Sequence, residues 1–412
     1  MIKSIHKYEH DTLYIGEEGF NNLHWDAMVK LNAAHEGAYF DVLPKGIKFK
    51  QFVGVLQIEN LLLHIHPKAD KDESDAAWHG VLLHMLKSCG KLSAQTAGDA
   101  MVRRQDINLL EVYFENFLQQ TENLLHTGLI KQYRKSSGNV RALKGKLEFS
   151  ENIRHNAVHK ERFYTTHQVY DTDHFLHQVL ALALDILGKF TRGTRLNDRW
   201  RRVQMAFPEV STIAVSAKQL NRFVFNRKSE PYRRAYELAR LIILNYSPDI
   251  NRGAEHMISL LFDMNQLWEE YVYVMLRREV ESPDSPFKDY RVQAQVSKPF
   301  WHHNSLQPDI VLTHQPSGKH LVIDTKWKRP GHTAGIQDLR QAYAYARFWK
   351  AETVMLLYPG HQQQNQEHPF ETQDHLHDSI TSHRGLLRFV RVVVDGKVNE
   401  GLGRDVLWGL VK

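Results

Sequence analysis

Three observations predict an α+β multidomain protein with an N-terminal β-rich domain, a helical middle region and a C-terminal α/β domain on a central mixed sheet. Residues 1 to about 70 alternate apolar and polar positions between Gly and Asn breaks. From Ala76 to about Ile250 apolar residues mostly recur at spacings of three and four. The segment 254–358 then mixes helical spacing with short continuous apolar runs, the pattern of strands buried by helices. A chain of 412 residues has room for two or three such domains, and the pattern changes place them at 1–75, 76–250 and 251–412.

The N-terminal strands are TLYIG, AYFDVL, IKFKQFVGVLQIE and NLLLHIHPK. His64 and His66 share one face of the last strand, a spacing open to metal binding if further ligands join, or to two polar residues on a wet face. The charged stretch Lys71 to Asp75 reads as a linker. Packing helices follow in AAWHGVLLHMLKSC and INLLEVYFENFLQQTENLLH.

Next comes a basic segment, about 131–150, with Lys131, Arg134, Lys135, Arg141, Lys144 and Lys146, followed by Arg154, against only Glu148 and Glu151. It reads as a hairpin with its turn at SSGN and a strand from Val140 to Phe149. Such a hairpin suits phosphates, the pore of a partner, or simply solvent. Helices then dominate to about Ile250, where SPDIN marks a turn and a boundary.

Chemistry concentrates in 254–358. Met257, Leu261, Met264, Trp268, Tyr271, Val272 and Met275 make one helical stripe, with Glu269 on its flank and Glu270 nearly opposite. Then LQPDIVLTH, the turn QPSGKH and LVIDTKWKR read as an antiparallel strand pair. Asp309 opens one strand and Asp324 ends the other, so the pairing brings two carboxylates together across fourteen intervening residues. Asp324 and Lys326 share a strand face and Thr325 points away. Two carboxylates beside a lysine suit a hard cation: Mg²⁺, or Mn²⁺ in its place, held by Asp309, Asp324 and the Thr325 carbonyl with Glu269 assisting. Lys326 would stabilise charge on a phosphodiester being hydrolysed.

Pro308-Asp309 followed by Asp324-Thr325-Lys326 resembles the PD-(D/E)xK nuclease motif, with Thr in place of a second acid between Asp324 and Lys326. The helix after it, IQDLRQAYAYARFW, puts Leu339, Ala342, Tyr343, Ala346 and Trp349 on its packing face, with Asp338, Gln341 and Tyr345 on another. Gln341 and Tyr345 resemble the QxxxY element of RecB-like nucleases, where it faces the active site and DNA. The blocks ALKGKLEFSENIRHN, YDTDHFLHQVLALAL, NRKSEPYRRAYELARLIIL, MNQLWEEYVYVMLRRE, PDIVL, DTKWK and DLRQAYAYARFW are similar, in order, to those of the McrC family, the nuclease subunit of McrBC modification-dependent restriction systems.

That resemblance implies a C-terminal PD-(D/E)xK restriction-endonuclease-like domain, with Asp309, Asp324, Lys326, Glu269, Gln341 and Tyr345 at its site. It also implies DNA as substrate, cut where cytosine is methylated, and an McrB-like AAA+ GTPase hexamer as the partner whose GTPase is stimulated. The chain itself has no GxxxxGK[ST], so it is expected to bind no nucleotide and to leave GTP to the partner. Arg141, Lys144 and Lys146 are the candidate contacts to that partner or to DNA. The chain alone is expected as a monomer, or as a dimer through the assembled complex.

Composition agrees with these expectations. Lys and Arg number 53 against 47 Asp and Glu, a net +6 that suits a polyanion and also serves solubility. No run of eighteen apolar residues offers a membrane span, and the first residues lack an apolar targeting core, so a cytoplasmic protein is expected. The single cysteine, Cys89, excludes an internal disulfide and reads as a core thiol. The His-rich stretch from His361 to His383 fits no zinc spacing and reads as a loop. Two other functions stay open: a stand-alone RecB-like nuclease, and a non-cleaving adaptor that activates a motor.

Overall fold

The computed structural model describes residues 3–67, 75–92, 109–248, 256–328, 334–360, 365–371 and 383–411. It is a mixed α+β chain with several sheets, in two compact units: Met1–Leu109 with Ser259–Lys412, and Leu110–Ile258. This differs from a division at residues 75 and 250. The N-terminal strands do not close a core alone, because Phe52–Ile58 takes His256–Asp263 as its other neighbour in the sheet. Helix Asp75–Ser88 likewise packs on helix Met264–Glu281, where His84 meets the Tyr271 ring edge-on at 5.9 Å. Of the linker read at Lys71 to Asp75, positions 71–74 lie outside the described residues.

In the first unit, Lys3–Tyr8 runs parallel to Leu61–His66, which forms a hairpin with Phe52–Ile58. The register sets His6 opposite His64 and Tyr8 opposite His66. His64 and His66 are buried rather than on a wet face; the His6 ring stacks on both, and its Nδ1 lies 3.0 Å from His66 Nε2. Among the described residues no three or more His, Cys, Asp or Glu side chains gather as a metal cage. One N-terminal element escaped the strand pattern: Asn22–Ala34 is a helix, capped by Asn21 Oδ1 accepting from the His24 N–H at 3.1 Å.

The C-terminal sheet has six strands in the order Tyr290–Ala294, Ile310–His314, His320–Thr325, Thr353–Pro359, Arg384–Val390 and Gln366–Pro369. It is mixed, as expected: the two inner pairings around Thr353–Pro359 are parallel and the other three antiparallel. Parallel neighbours need a crossover, which helix Ile336–Trp349 supplies while burying Ala342, Tyr345, Ala346 and Trp349 against the sheet. Gln366–Pro369 is an edge strand inside the segment read as a loop. At that segment's end the buried His383 donates from Nδ1 to the Ala351 carbonyl at 2.8 Å. Residues 361–364 and 372–382 lie outside the described ones.

Helix Met264–Glu281 starts seven residues after Met257, the first residue of its predicted apolar stripe. Met257 and Leu261 lie in the strand His256–Asp263, and Asp263 Oδ1 caps the helix by accepting from the Asn265 N–H at 2.8 Å. A buried strand and a helix face both present apolar residues at short spacing, so periodicity alone ran across the junction.

The second unit packs helices Leu109–Thr127, Phe175–Phe190, Asn197–Ala206 and Arg233–Leu244 beside a three-stranded sheet. Here the basic segment departs from its expected shape. SSGN is not a turn: Gln132–Val140 is one continuous strand, paired over nine residues with Phe163–Asp171. Ser137 and Thr166 hydroxyls meet across that pair at 2.8 Å. The partner FYTTHQVYD is rich in β-branched and aromatic residues, and its full-length ladder outweighs the local turn preference of Ser, Gly and Asn. Residues 141–145 do not reverse the chain but carry it, through Gly145 at φ +68°, to the other edge of Phe163–Asp171, where Lys146–Leu147 pairs, and Arg141, Lys144 and Lys146 are exposed.

Gly54 is the tightest constraint in the first unit's sheet. Its φ is +139°, and a Cβ there would lie 2.0 Å from the Leu260 carbonyl oxygen. Gly54→Ala is expected to cost at least about 2 kcal/mol, read as a lower thermal midpoint with unchanged far-ultraviolet dichroism at low temperature.

Candidate active site

The pairing Ile310↔Ile323 places the start of one strand beside the end of the next, so Asp309 meets the Asp324–Lys326 segment. Asp309 Oδ2 accepts twice from Thr325, from its N–H at 2.6 Å and its hydroxyl at 2.8 Å. Thr325 therefore turns its hydroxyl to Asp309 rather than away from the site. Asp324 is 1% exposed and its Oδ2 lies 2.7 Å from Lys326 Nζ. The Lys326 N–H extends the sheet to the Leu357 carbonyl at 2.9 Å, which fixes the backbone from which the amine projects.

Helix Ile336–Trp349 supplies the second wall. Gln341 and Tyr345 are four apart and share a helix face. Lys326 Nζ donates to Gln341 Oε1 at 3.3 Å, Gln341 Nε2 to the Tyr345 hydroxyl at 2.7 Å, and that hydroxyl to the Gln307 carbonyl at 3.0 Å. Glu269 stands on the flank of its helix and accepts from Gln295 Nε2 at 2.8 Å, while the Gln295 N–H donates to the Asp309 carbonyl. Glu270 points elsewhere, ion-paired with Lys91 at 2.8 Å. Arg141, Lys144 and Lys146 belong to the other compact unit.

Charge and burial oppose one another at this centre. Burial, then repulsion from Asp309, pushes Asp324 up to about 6 even with Lys326 pulling the other way. Burial also raises Glu269, against the Gln295 hydrogen bond and with Asp309. Burial disfavours the Lys326 ammonium, but Asp324 and Asp309 outweigh it and hold its pKa above the ordinary value. Asp309, Asp324, Glu269 and one lysine thus leave an excess of negative charge in a half-dry site. Carboxylate oxygens that repel one another there are the donor set a hard divalent cation would relieve. Asp309 and Asp324 offer oxygen donors of the kind Mg²⁺ or Mn²⁺ takes, two carboxylates rather than, among the described residues, a cage of three or more.

Several supporting residues had no sequence signal. Gln295 and Gln307 reach the site only through the fold. Asp338, on the Gln341 face of the helix, pairs with Lys328 at 2.6 Å, accepts from the buried Tyr358 hydroxyl, and adds to the repulsion on Asp324. Trp327 donates from Nε1 to the buried Glu9 at 2.7 Å and lies 5.5 Å from the Trp268 ring. This ties the residues after Lys326 and before Glu269 to the N-terminal strands. Cys89 stands apart, partly rather than fully buried, its thiol pushed up to about 12 by burial.

The fold and site define a mixed α+β protein with a carboxylate–lysine centre where an antiparallel strand pair joins the parallel part of a sheet. The chain belongs to the McrBC 5-methylcytosine restriction system component family, whose model matches residues 47–359. It is similar to the "Type IV methyl-directed restriction enzyme EcoKMcrBC" of Escherichia coli (strain K12), 20% identical over 226 residues. That match spans 53% of this chain and 64% of the relative. Its fold is similar to McrC in the "Refined half-complex from tetradecameric assembly of Thermococcus gammatolerans McrB AAA+ hexamers with bound McrC". The TM-score is 0.65 at 20% identity, over 99% of this chain and 100% of that one. Among the described residues no helix is long and apolar enough to cross a membrane.

Two outcomes follow from the site. The Asp324 pKa of about 6 exceeds the unfolded value of 3.8, so the folded chain holds the extra proton between those limits and loses stability as pH rises through them. Asp324→Asn should therefore gain on the wild type in thermal midpoint between pH 4 and 6 and keep a constant difference above about pH 7. Glu9→Leu removes the acceptor of the Trp327 indole and is expected to cost about 1–3 kcal/mol in denaturant unfolding.

Proposed function

We propose that this chain is the DNA-cutting subunit of a McrBC-like restriction system in the cytoplasm. It is a Mg²⁺-dependent endonuclease with a PD-(D/E)xK-type domain, acting on methylcytosine-containing DNA. Its partner is an McrB-type AAA+ hexamer whose GTPase it stimulates. The observation that carries this reading is the convergence of Asp309, Asp324 and Lys326, braced by Gln341 and Tyr345. Family membership and the likeness to McrC support it.

When bound, Mg²⁺ supplies Lewis acidity toward a phosphate oxygen and lowers the pKa of a water. Asp309 and Asp324 would hold it, Asp309 kept in place by the two Thr325 hydrogen bonds. Lys326 donates hydrogen bonds to the phosphate oxygen on which charge builds, its amine held by Asp324 and Gln341. Glu269, with its raised pKa, takes a proton from the attacking water. Gln341 and Tyr345 restrict the amine to one position, which removes an orientational cost from each turnover. Arg141, Lys144 and Lys146 present exposed cations from the other unit to the motor or to DNA.

The test is cleavage of methylated and unmethylated plasmid with Mg²⁺, with and without purified motor and GTP. Cutting is expected only with motor, GTP and methylation together. Lys326→Ala should lose at least about 100-fold in cutting while still stimulating the motor's GTPase. Cutting by the lone chain would point to an autonomous nuclease, and wild-type stimulation without any cutting to an adaptor.

A further inference from the structure

The loop that leads into Asp309 is a two-stranded hairpin, Lys298–Trp301 paired with Asn304–Leu306. Both of its ends are hydrogen-bonded into the centre described above. On one side Gln295 binds Glu269 and the Asp309 carbonyl, and on the other the Gln307 carbonyl takes the Tyr345 hydroxyl. Its base is also braced: Lys298 Nζ donates to the Phe348 carbonyl at 2.9 Å and lies 4.7 Å over the Trp349 ring. Phe300 meets Phe348 edge-on at 5.4 Å. Its tip is different. Trp301 is 74% exposed, beside His302 and His303, whose rings stand 3.8 Å apart. The tip is reached through a bulge and a positive φ of 50° at His302.

A hairpin gripped at both ends keeps the exposed indole within a limited reach of the carboxylates. We propose that Trp301 stacks on a base of the DNA bound at the Asp309–Asp324 centre, with the hairpin as a rigid wedge. This rests on the nuclease reading above. DNA is favoured over a protein occupant because the hairpin is continuous with the cutting centre at both ends. Neither Asp nor Glu occurs from Gln295 to Pro308, so nothing on the hairpin repels a phosphate backbone. The eight residues from Trp301 to Asp309 span at most roughly 26 Å, so the stacked base lies within about eight base steps of the cut.

The experiment uses the full chain with its motor and GTP, Ca²⁺ replacing Mg²⁺ to prevent cutting, and a fluorescein-labelled methylated duplex read by anisotropy. Trp301→Ala should weaken binding about tenfold, Trp301→Phe should stay within about threefold of wild type, and the dependence on salt should be unchanged because no phosphate contact is lost. Permanganate should mark an unstacked thymine within about eight steps of the cut with wild type and Trp301→Phe, and not with Trp301→Ala. Equal binding and equal permanganate patterns for wild type and Trp301→Ala overturn the proposal. So does loss of motor co-sedimentation by Trp301→Ala without DNA, which makes the tip a protein contact. A wild type that binds no duplex in any condition removes the nuclease reading itself, and is told apart because it needs no variant.

Discussion

The pairing of Ile310 with Ile323 across an antiparallel ladder is what the rest of the centre depends on. Shifting that register by one residue would turn every side chain of the strand to the opposite face. The runs Ile310–Leu312 and Val322–Ile323 are buried on both faces, so a slip would set each side chain against the packing partners of the opposite face. The double hydrogen bond from Thr325 to Asp309 Oδ2 then locks the ends of the two strands together. Because Thr325 also sits opposite Leu357 in the parallel part of the sheet, one short stretch of backbone ties together both carboxylates, the lysine and the strand Thr353–Pro359.

Electrostatics at this centre work against stability. Asp324 is nearly inaccessible and beside a second acid, and burial with that acid's repulsion raises its pKa. The lysine offsets part of that cost and no more. A site that stores repulsion between carboxylates favours a cation, and its walls have to be rigid enough not to relax. The relay from Lys326 through Gln341 and Tyr345 to the Gln307 carbonyl provides one wall. The contacts of Trp327 with Glu9 and Trp268 provide another, using a turn residue 318 positions away in the chain.

How much of this was legible varied with how local the cause was. The strands Ile310–His314 and His320–Thr325 and the helix Ile336–Trp349 announced themselves, because each carries its own period and turn residues. The helix Asn22–Ala34 did not: of its apolar residues only Met28 and Leu31 are buried, and only the Asn21 cap marked its start. SSGN misled because its neighbours were read locally, whereas Phe163–Asp171 decided the conformation from some thirty residues downstream. The start of helix Met264–Glu281 was misplaced for a related reason, as a buried strand continued its apolar stripe.

The sequence by itself determined the mixed architecture, the family, and which residue types stand at the two strand ends. Periodicity, turn chemistry and the order of motif blocks are all properties of neighbouring positions. Only the tertiary structure decided that Thr325 faces Asp309, that Gln295 holds Glu269, and that Glu9 supports Trp327. It alone decided that the N-terminal strands and the C-terminal sheet form one compact unit. Those facts depend on which buried polar groups find partners and which strands find edges, and both are settled by residues far apart in the chain.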